Sequence, residues 1–284
     1  MKEKVSIGNI LKFSGAFVAC AIGSGFATGQ EIMQFFSAYG VMGIAGTAIT
    51  TVIFAWVGGM FMKNGYEQQL REPGDIIPYY FGQRFGKLFQ IILQVFLYGV
   101  FVIMIAGAGA TLSEYFGLDP MVGRVGMALL AFFTVILGLT KVTDILGTLG
   151  TVIIVFAVGI GIYSLAANAS NLSASLALIP TLEMTKTQGG WLVSGILYPA
   201  FNAVVVVILA SSIGKSANSA KEAQLGGTIG GILFGLAVMI MNLGIVANIG
   251  GLYTKAVPTL VIAQEFSPVF GVIFSVIICC GIYT

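Results

Sequence analysis

Long apolar runs recur along the chain, separated by short polar connections. A membrane-crossing helix needs about 20 mostly apolar residues. Eight stretches meet that need, at about 9–37, 41–62, 85–111, 121–140, 145–167, 190–213, 226–248 and 268–284. In lipid the backbone must satisfy its own hydrogen bonds, so these stretches are expected as helices. The pattern therefore predicts an all-α polytopic membrane protein, with residues 1–284 forming a single transmembrane domain. Of the connections, 64–84 is polar and contains Pro73, Gly74 and Pro78, and its Tyr79, Tyr80 and Phe81 stand beside Arg84 and Lys87. That mix predicts a short segment lying in the membrane interface. The connections 168–189 and 249–267 are long enough for further interfacial helices.

Two of the runs are interrupted. In the first, "CAIGSGFATGQE" sets Gly23, Ser24 and Gly25 near the middle of the span, and Gln30 and Glu31 follow. Each glycine weakens a helix by about 1 kcal/mol relative to alanine. In the sixth, "SGILYPAFNA" sets Pro199 mid-span with Asn202 close by. Proline has no N–H, so the Gly195 carbonyl loses its helical donor, and Tyr198 is biased away from helical dihedrals. Either feature alone fits a kink or a close helix contact. Together they predict broken first and sixth helices, at matching positions of a first repeat (1–167) and an incomplete second repeat (168–284) of opposite topology. Paired interruptions of this kind point to a transporter site. Half-helix ends present free N–H groups and carbonyls to ligands.

Composition agrees with a membrane protein. Hydrophobic residues make up 57% and charged residues only 8%, against roughly 25% charged in soluble domains. The net charge of +2 implies no nucleic-acid partner. Placing the amino terminus in the cytoplasm puts 10 of the 13 Lys and Arg residues inside and 3 outside, the orientation that positive-inside bias favours. The expected location is the cell membrane. Lys2, Lys4 and Lys12 precede an apolar run that carries Gln30 and Glu31 and has no cleavage site after it, so it reads as a retained helix and not a signal peptide. The last run ends at Thr284 without a charged flank, and the chain is expected to stop within its eighth span.

The absence of histidine excludes Ser-His hydrolase chemistry and removes the commonest metal ligand. No Walker sequence is present, so ATP-driven transport is not expected, and neither is enzymatic activity. Cys20, Cys279 and Cys280 have no metal or redox spacing and read as small buried hydrophobes. Glu31 is the one acid well inside a span, and such acids are usually functional. Nineteen residues separate it from Lys12, about 28 Å of helix, which places it toward the outer end. Substrate-ammonium binding, an outer gate, proton coupling and a solvated carboxylate near the interface all fit it. Gln30 suits orientation of a substrate or polar packing. Tyr98 lies mid-span, too deep for an interfacial belt, and is expected either to face the breaks or to pack with its hydroxyl bonded. Phe26 and Phe201 flank the breaks, as packing groups or as walls of a site, and Asn202 is a hydrogen-bonding candidate. Asn242 and the glycines at 226, 227, 230, 231 and 235 read as helix–helix contact positions.

"GSGFATGQEIMQFFSAYG" and "YPAFNA" resemble the YkvI-like bacterial membrane proteins along the whole chain. More distantly, the arrangement is similar to the LeuT-type fold of the amino acid–polyamine–cation superfamily. That resemblance implies ten helices in two inverted repeats, with substrate held among spans 1, 3, 6 and 8. The substrate-binding candidates read from the two interruptions are Gly23, Ser24, Gly25, Phe26, Tyr98, Tyr198, Pro199 and Asn202, with binding by exposed half-helix backbone supported by Tyr98, Tyr198 and Asn202. The LeuT-type resemblance further implies a Na⁺ site at the carbonyls of Ala19, Cys20, Ile22 and Gly23, with a hydroxyl from Ser275 or Thr284. The expected activity is alternating-access transport of an amino acid or related zwitterion or cation, coupled to Na⁺ or H⁺, with no other cofactor. A membrane sensor or assembly protein on the same scaffold, or a channel, are the rival functions.

Overall fold

A computed structural model of the chain describes residues 5–70, 73–137 and 142–283, with side chains except at residues 24, 73, 137 and 142–151. Every regular element among the described residues is helical. The chain opens with α1 (Ile7–Ala21), α2 (Ser24–Thr28) and α3 (Gln30–Phe35), followed by a 3₁₀ turn at Ser37–Tyr39. The long helices α4 (Val41–Gln68) and α5 (Ile76–Phe116) come next, then α6 (Pro120–Leu137) and α7 (Val142–Ala167). After the short α8 (Leu172–Leu178) come α9 (Gly190–Gly214), α10 (Ala220–Ala247), α11 (Ile249–Leu252), α12 (Pro258–Phe266) and α13 (Pro268–Tyr283). By length and apolarity α4, α5, α9 and α10 can each cross a membrane, and Val152–Ala167 with Ala169–Thr181 forms a further pair bent by 68°. The chain is a polytopic membrane protein. The other expected spans appear as the shorter apolar helices α1, α6 and α13.

The residues divide into two compact units. The first comprises residues 1–21, 48–101 and 196–236, and the second 22–47, 102–195 and 237–284.

In the first unit glycines let helices meet backbone to backbone. A Cβ on Gly58 would sit 2.6 Å from the Gly227 carbonyl oxygen, and one on Gly231 would overlap the Phe54 carbonyl. The neighbouring face of α10 meets α1, where a Cβ on Gly226 would lie 2.6 Å from Phe13 and one on Gly230 2.8 Å from Phe17. Ser14 seals that contact with a 3.0 Å hydrogen bond to the Gly226 carbonyl. Small residues drive such approach in lipid, where burial from water cannot. At the start of α10, Ser219 caps the Glu222 N–H at 3.1 Å. The Glu222 carboxylate then accepts bonds from the Ser6 N–H, the Asn9 amide, and the N–H and amide of Asn218. Ser219 thus makes one half of a capping box, while Glu222 reaches one residue further back, to Asn218, and holds the amino-terminal segment.

In the second unit α2 packs against α7, α12 and α13. Ser164 of α7 donates to the Gly244 carbonyl at 2.7 Å, and a Cβ on Gly244 would lie 2.5 Å from the Gly161 carbonyl oxygen. Phe156 stacks on Phe270 at 5.3 Å. Lys255 pairs with Glu114 at 3.3 Å, and the Tyr115 hydroxyl donates to the Pro268 carbonyl at 2.6 Å.

The sixth span differs from expectation. Residues 190–214 form one helix with Pro199 inside it, not two half-helices. A proline deletes a single N–H, and packing holds the winding on either side. Tyr198 is fully buried, with its ring edge-on to Phe54 at 6.2 Å. Asn202 turns its amide back to donate to the Tyr198 carbonyl at 3.0 Å.

Candidate functional site

The first span does break. α1 ends at Ala21, and Ile22 and Gly23 leave the helical ladder. Gly23 is extended (φ −112°, ψ 174°) and caps α2. The five-residue α2 stops at Gly29, whose φ of 76° is left-handed. Only glycine adopts that conformation readily, and a Cβ there would also stand 2.8 Å from the Thr259 methyl. Helical winding resumes in α3, where the Met33 N–H bonds the Gly29 carbonyl at 3.0 Å. The first expected span is thus three helical pieces, interrupted at Ile22–Gly23 and at Gly29.

Polar groups freed by the break are satisfied from nearby. The Ala27 N–H bonds the Gly23 carbonyl at 3.1 Å, and the Thr28 hydroxyl donates to the Gly25 carbonyl at 3.1 Å. Thr259, fully buried, donates to the Ala27 carbonyl at 2.7 Å. It sits next to Pro258 at the start of α12, where proline suits the first helical position. Sequence reasoning missed Thr259. Pro258 marks a helix start, but no local pattern joins a threonine to a carbonyl 232 residues away. It missed Met104 as well, whose methyl lies 3.7 Å from the point where a Gly23 side chain would begin.

Glu31 folds back over Gly25. A Cβ on Gly25 would overlap the Glu31 carboxyl group, so the bare glycine is what leaves the acid its place. The side chain is half-buried. The ion pairs among the described residues are Lys63–Glu67 and Lys255–Glu114, and neither involves it. Nearby, Ser37 donates to the Asn242 amide oxygen at 2.8 Å, both groups fully buried. That bond gives Asn242 the helix-contact role its sequence context suggests.

The expected site residues fall in different units. Ile22, Gly23, Ser24, Gly25, Phe26, Gln30, Glu31 and Ser275 lie in the second; Ala19, Cys20, Tyr98, Tyr198, Pro199, Phe201 and Asn202 lie in the first. The Ser24 side chain and Thr284 lie outside the described residues. Phe26 is fully buried as core. Ser275 is buried and bonds the Val272 carbonyl in its own helix at 2.8 Å. Phe201 packs edge-on to Phe96 at 5.4 Å. Tyr98 does not turn inward. It is 69% exposed, on the face of α5 that also exposes Ile91, Val95 and Val102. Those positions recur at helical spacing, so Tyr98 belongs to a lipid-type face.

No family model and no solved structure matches the chain. Two relatives from Bacillus subtilis (strain 168) do. The uncharacterized protein YyaD is 26% identical over 274 residues, 96% of this chain and 77% of its own length. The uncharacterized membrane protein YkvI is 23% identical over 280 residues, 98% of this chain and 78% of its own length. The chain is thus a homologue of YyaD and YkvI, and the resemblance to YkvI-like membrane proteins holds over nearly its full length.

Proposed function

We propose that the chain is a secondary transporter of an amino acid or related small zwitterion or cation. It would be coupled to Na⁺ or H⁺ and work by alternating access in the cell membrane, with its amino terminus in the cytoplasm. The observation that carries this reading is the Glu31 carboxylate laid over Gly25 at a break inside a membrane span. An acid in an apolar span is expensive and is retained for a task. With no basic side chain paired to it among the described residues, it is suited to a substrate ammonium or a coupling proton. The unwound backbone at Ile22, where α1 has ended and α2 has not begun, supports the same reading, since carbonyls outside a regular ladder serve as cation ligands. The wound sixth helix removes one of the two breaks expected from Gly23, Gly25 and Pro199, so the binding elements rest on the first span.

Uptake of labelled amino acids into proteoliposomes, under a Na⁺ gradient and separately under a pH gradient, tests the proposal. The wild-type chain is expected to accumulate at least one solute under one gradient. Glu31→Gln is expected to lower uptake by about tenfold or more, the equivalent of roughly 1.4 kcal/mol from one lost charge-assisted contact. Gly25→Ala displaces the carboxylate and is expected to act in the same direction. Wild-type uptake rates in both variants would remove Glu31 from the site.

A further inference from the structure

We propose that the turn at Gly82 forms a binding site for the headgroup of an anionic phospholipid, in the leaflet that the Lys and Arg distribution assigns to the cytoplasm. Gly82, at φ 72° and ψ 167°, breaks α5 after its first six residues. The leading segment then folds against the helix that follows. A Cβ on Gly86 would lie 2.7 Å from Pro78, and the Gln90 amide donates to the Gly74 carbonyl at 3.2 Å. The segment's inner side is anchored, with Ile76 and Ile77 buried and the Asn64 amide donating to the Tyr80 hydroxyl at 2.7 Å. A surface held on this many sides is a fixed platform, not a loose loop.

The outward side of that platform has the chemistry of an interfacial lipid site. Tyr79, Phe81 and Phe85 are exposed by 45%, 48% and 74%, and aromatic rings of this kind settle at headgroup depth. Arg84 and Lys87 are exposed among them. They stand three residues apart on regular helix, which makes them surface neighbours about 5–6 Å apart at Cβ. Neither is in an ion pair among the described residues. Two exposed cations at that spacing suit one phosphate, with Arg supplying a planar fork and Lys a point charge. Charge complementarity and the exposed aromatics on the same short stretch commit the occupant to an anionic lipid. A free phosphate would use the cations but leave the exposed rings without a partner.

The test uses the full chain in nanodiscs of phosphatidylcholine alone and with increasing phosphatidylglycerol. The melting temperature is followed, along with lipid retained on the protein by native mass spectrometry. The wild type is expected to melt higher as phosphatidylglycerol rises and to retain that lipid selectively. Arg84→Gln combined with Lys87→Gln is expected to lose both effects while melting as the wild type does in phosphatidylcholine alone. A double variant of distant cations, Lys12→Gln with Lys221→Gln, is expected to keep both. Inorganic phosphate at equal concentration is expected to give no shift. The proposal fails if the wild type does not distinguish the two lipids, if the Arg84/Lys87 variant keeps the response, or if the distant variant loses it equally. A failed solute-uptake assay leaves the lipid result standing on its own.

Discussion

Thr259 shows how a single side chain holds the break in the first span. Its hydroxyl reaches the Ala27 carbonyl at 2.7 Å, and the residue is fully buried. Thr259→Val keeps the shape and removes the donor, leaving that carbonyl without this partner in an apolar setting. The expected cost is about 1 kcal/mol, read as a lower melting temperature of the purified chain. An unchanged melting temperature would mean the bond is replaced or does not form. Glu31 was legible as the one acid within a span, and Gly25 as half of a glycine pair. Their mutual dependence was not, because a side chain turning back six positions across a helix break leaves no periodic signature. Tyr98 was misread for a related reason. Depth along a span follows from counting residues, but the direction a side chain faces depends on which neighbours cover that helix.

At the scale of elements, glycine positions carry the packing. A Cβ on Gly227 would overlap the backbone of Gly58 on α4. Gly227→Leu is therefore expected to force the helices apart and cost about 1–3 kcal/mol, measured as a lower melting temperature in detergent. Gly15, on α1, has open space around its Cα. Gly15→Ala is expected to be neutral or stabilising, since alanine is the better helix former. The glycine spacing on α10 announced this contact face before any coordinates, because close approach demands small residues at a fixed period. The two interrupted spans show where local signals stop deciding. Gly23 and Gly29 remove side chains where the backbone must leave the helix, and Thr259 and α12 hold the result in place. Pro199 deletes one donor inside a helix whose neighbouring Tyr198 is packed on Phe54, and the winding persists. Pro199→Ala is accordingly expected to melt at an equal or higher temperature, whereas a proline that shaped a needed break would make this change costly.

At the scale of the molecule, the chain passes five times between its two compact units, after residues 21, 47, 101, 195 and 236. Four of these passages lie inside the long helices α4, α5, α9 and α10, and one lies at the break after Ala21. The unwound passage is the one without a continuous hydrogen-bond ladder, and it leads directly into the Gly25–Glu31 pair. Under the proposed function this stretch would hold the site, an acid beside a break in an apolar span being a setting that transporters use. Counterflow in proteoliposomes tests this most directly. Vesicles loaded with unlabelled amino acid, without any ion gradient, are presented with trace label outside. Transient accumulation of label is expected with the wild-type chain, and its loss in Glu31→Gln and Gly25→Ala proteins that still fold. Label that merely equilibrates in the wild type, or counterflow that survives both substitutions, would contradict a carrier with its site at Glu31.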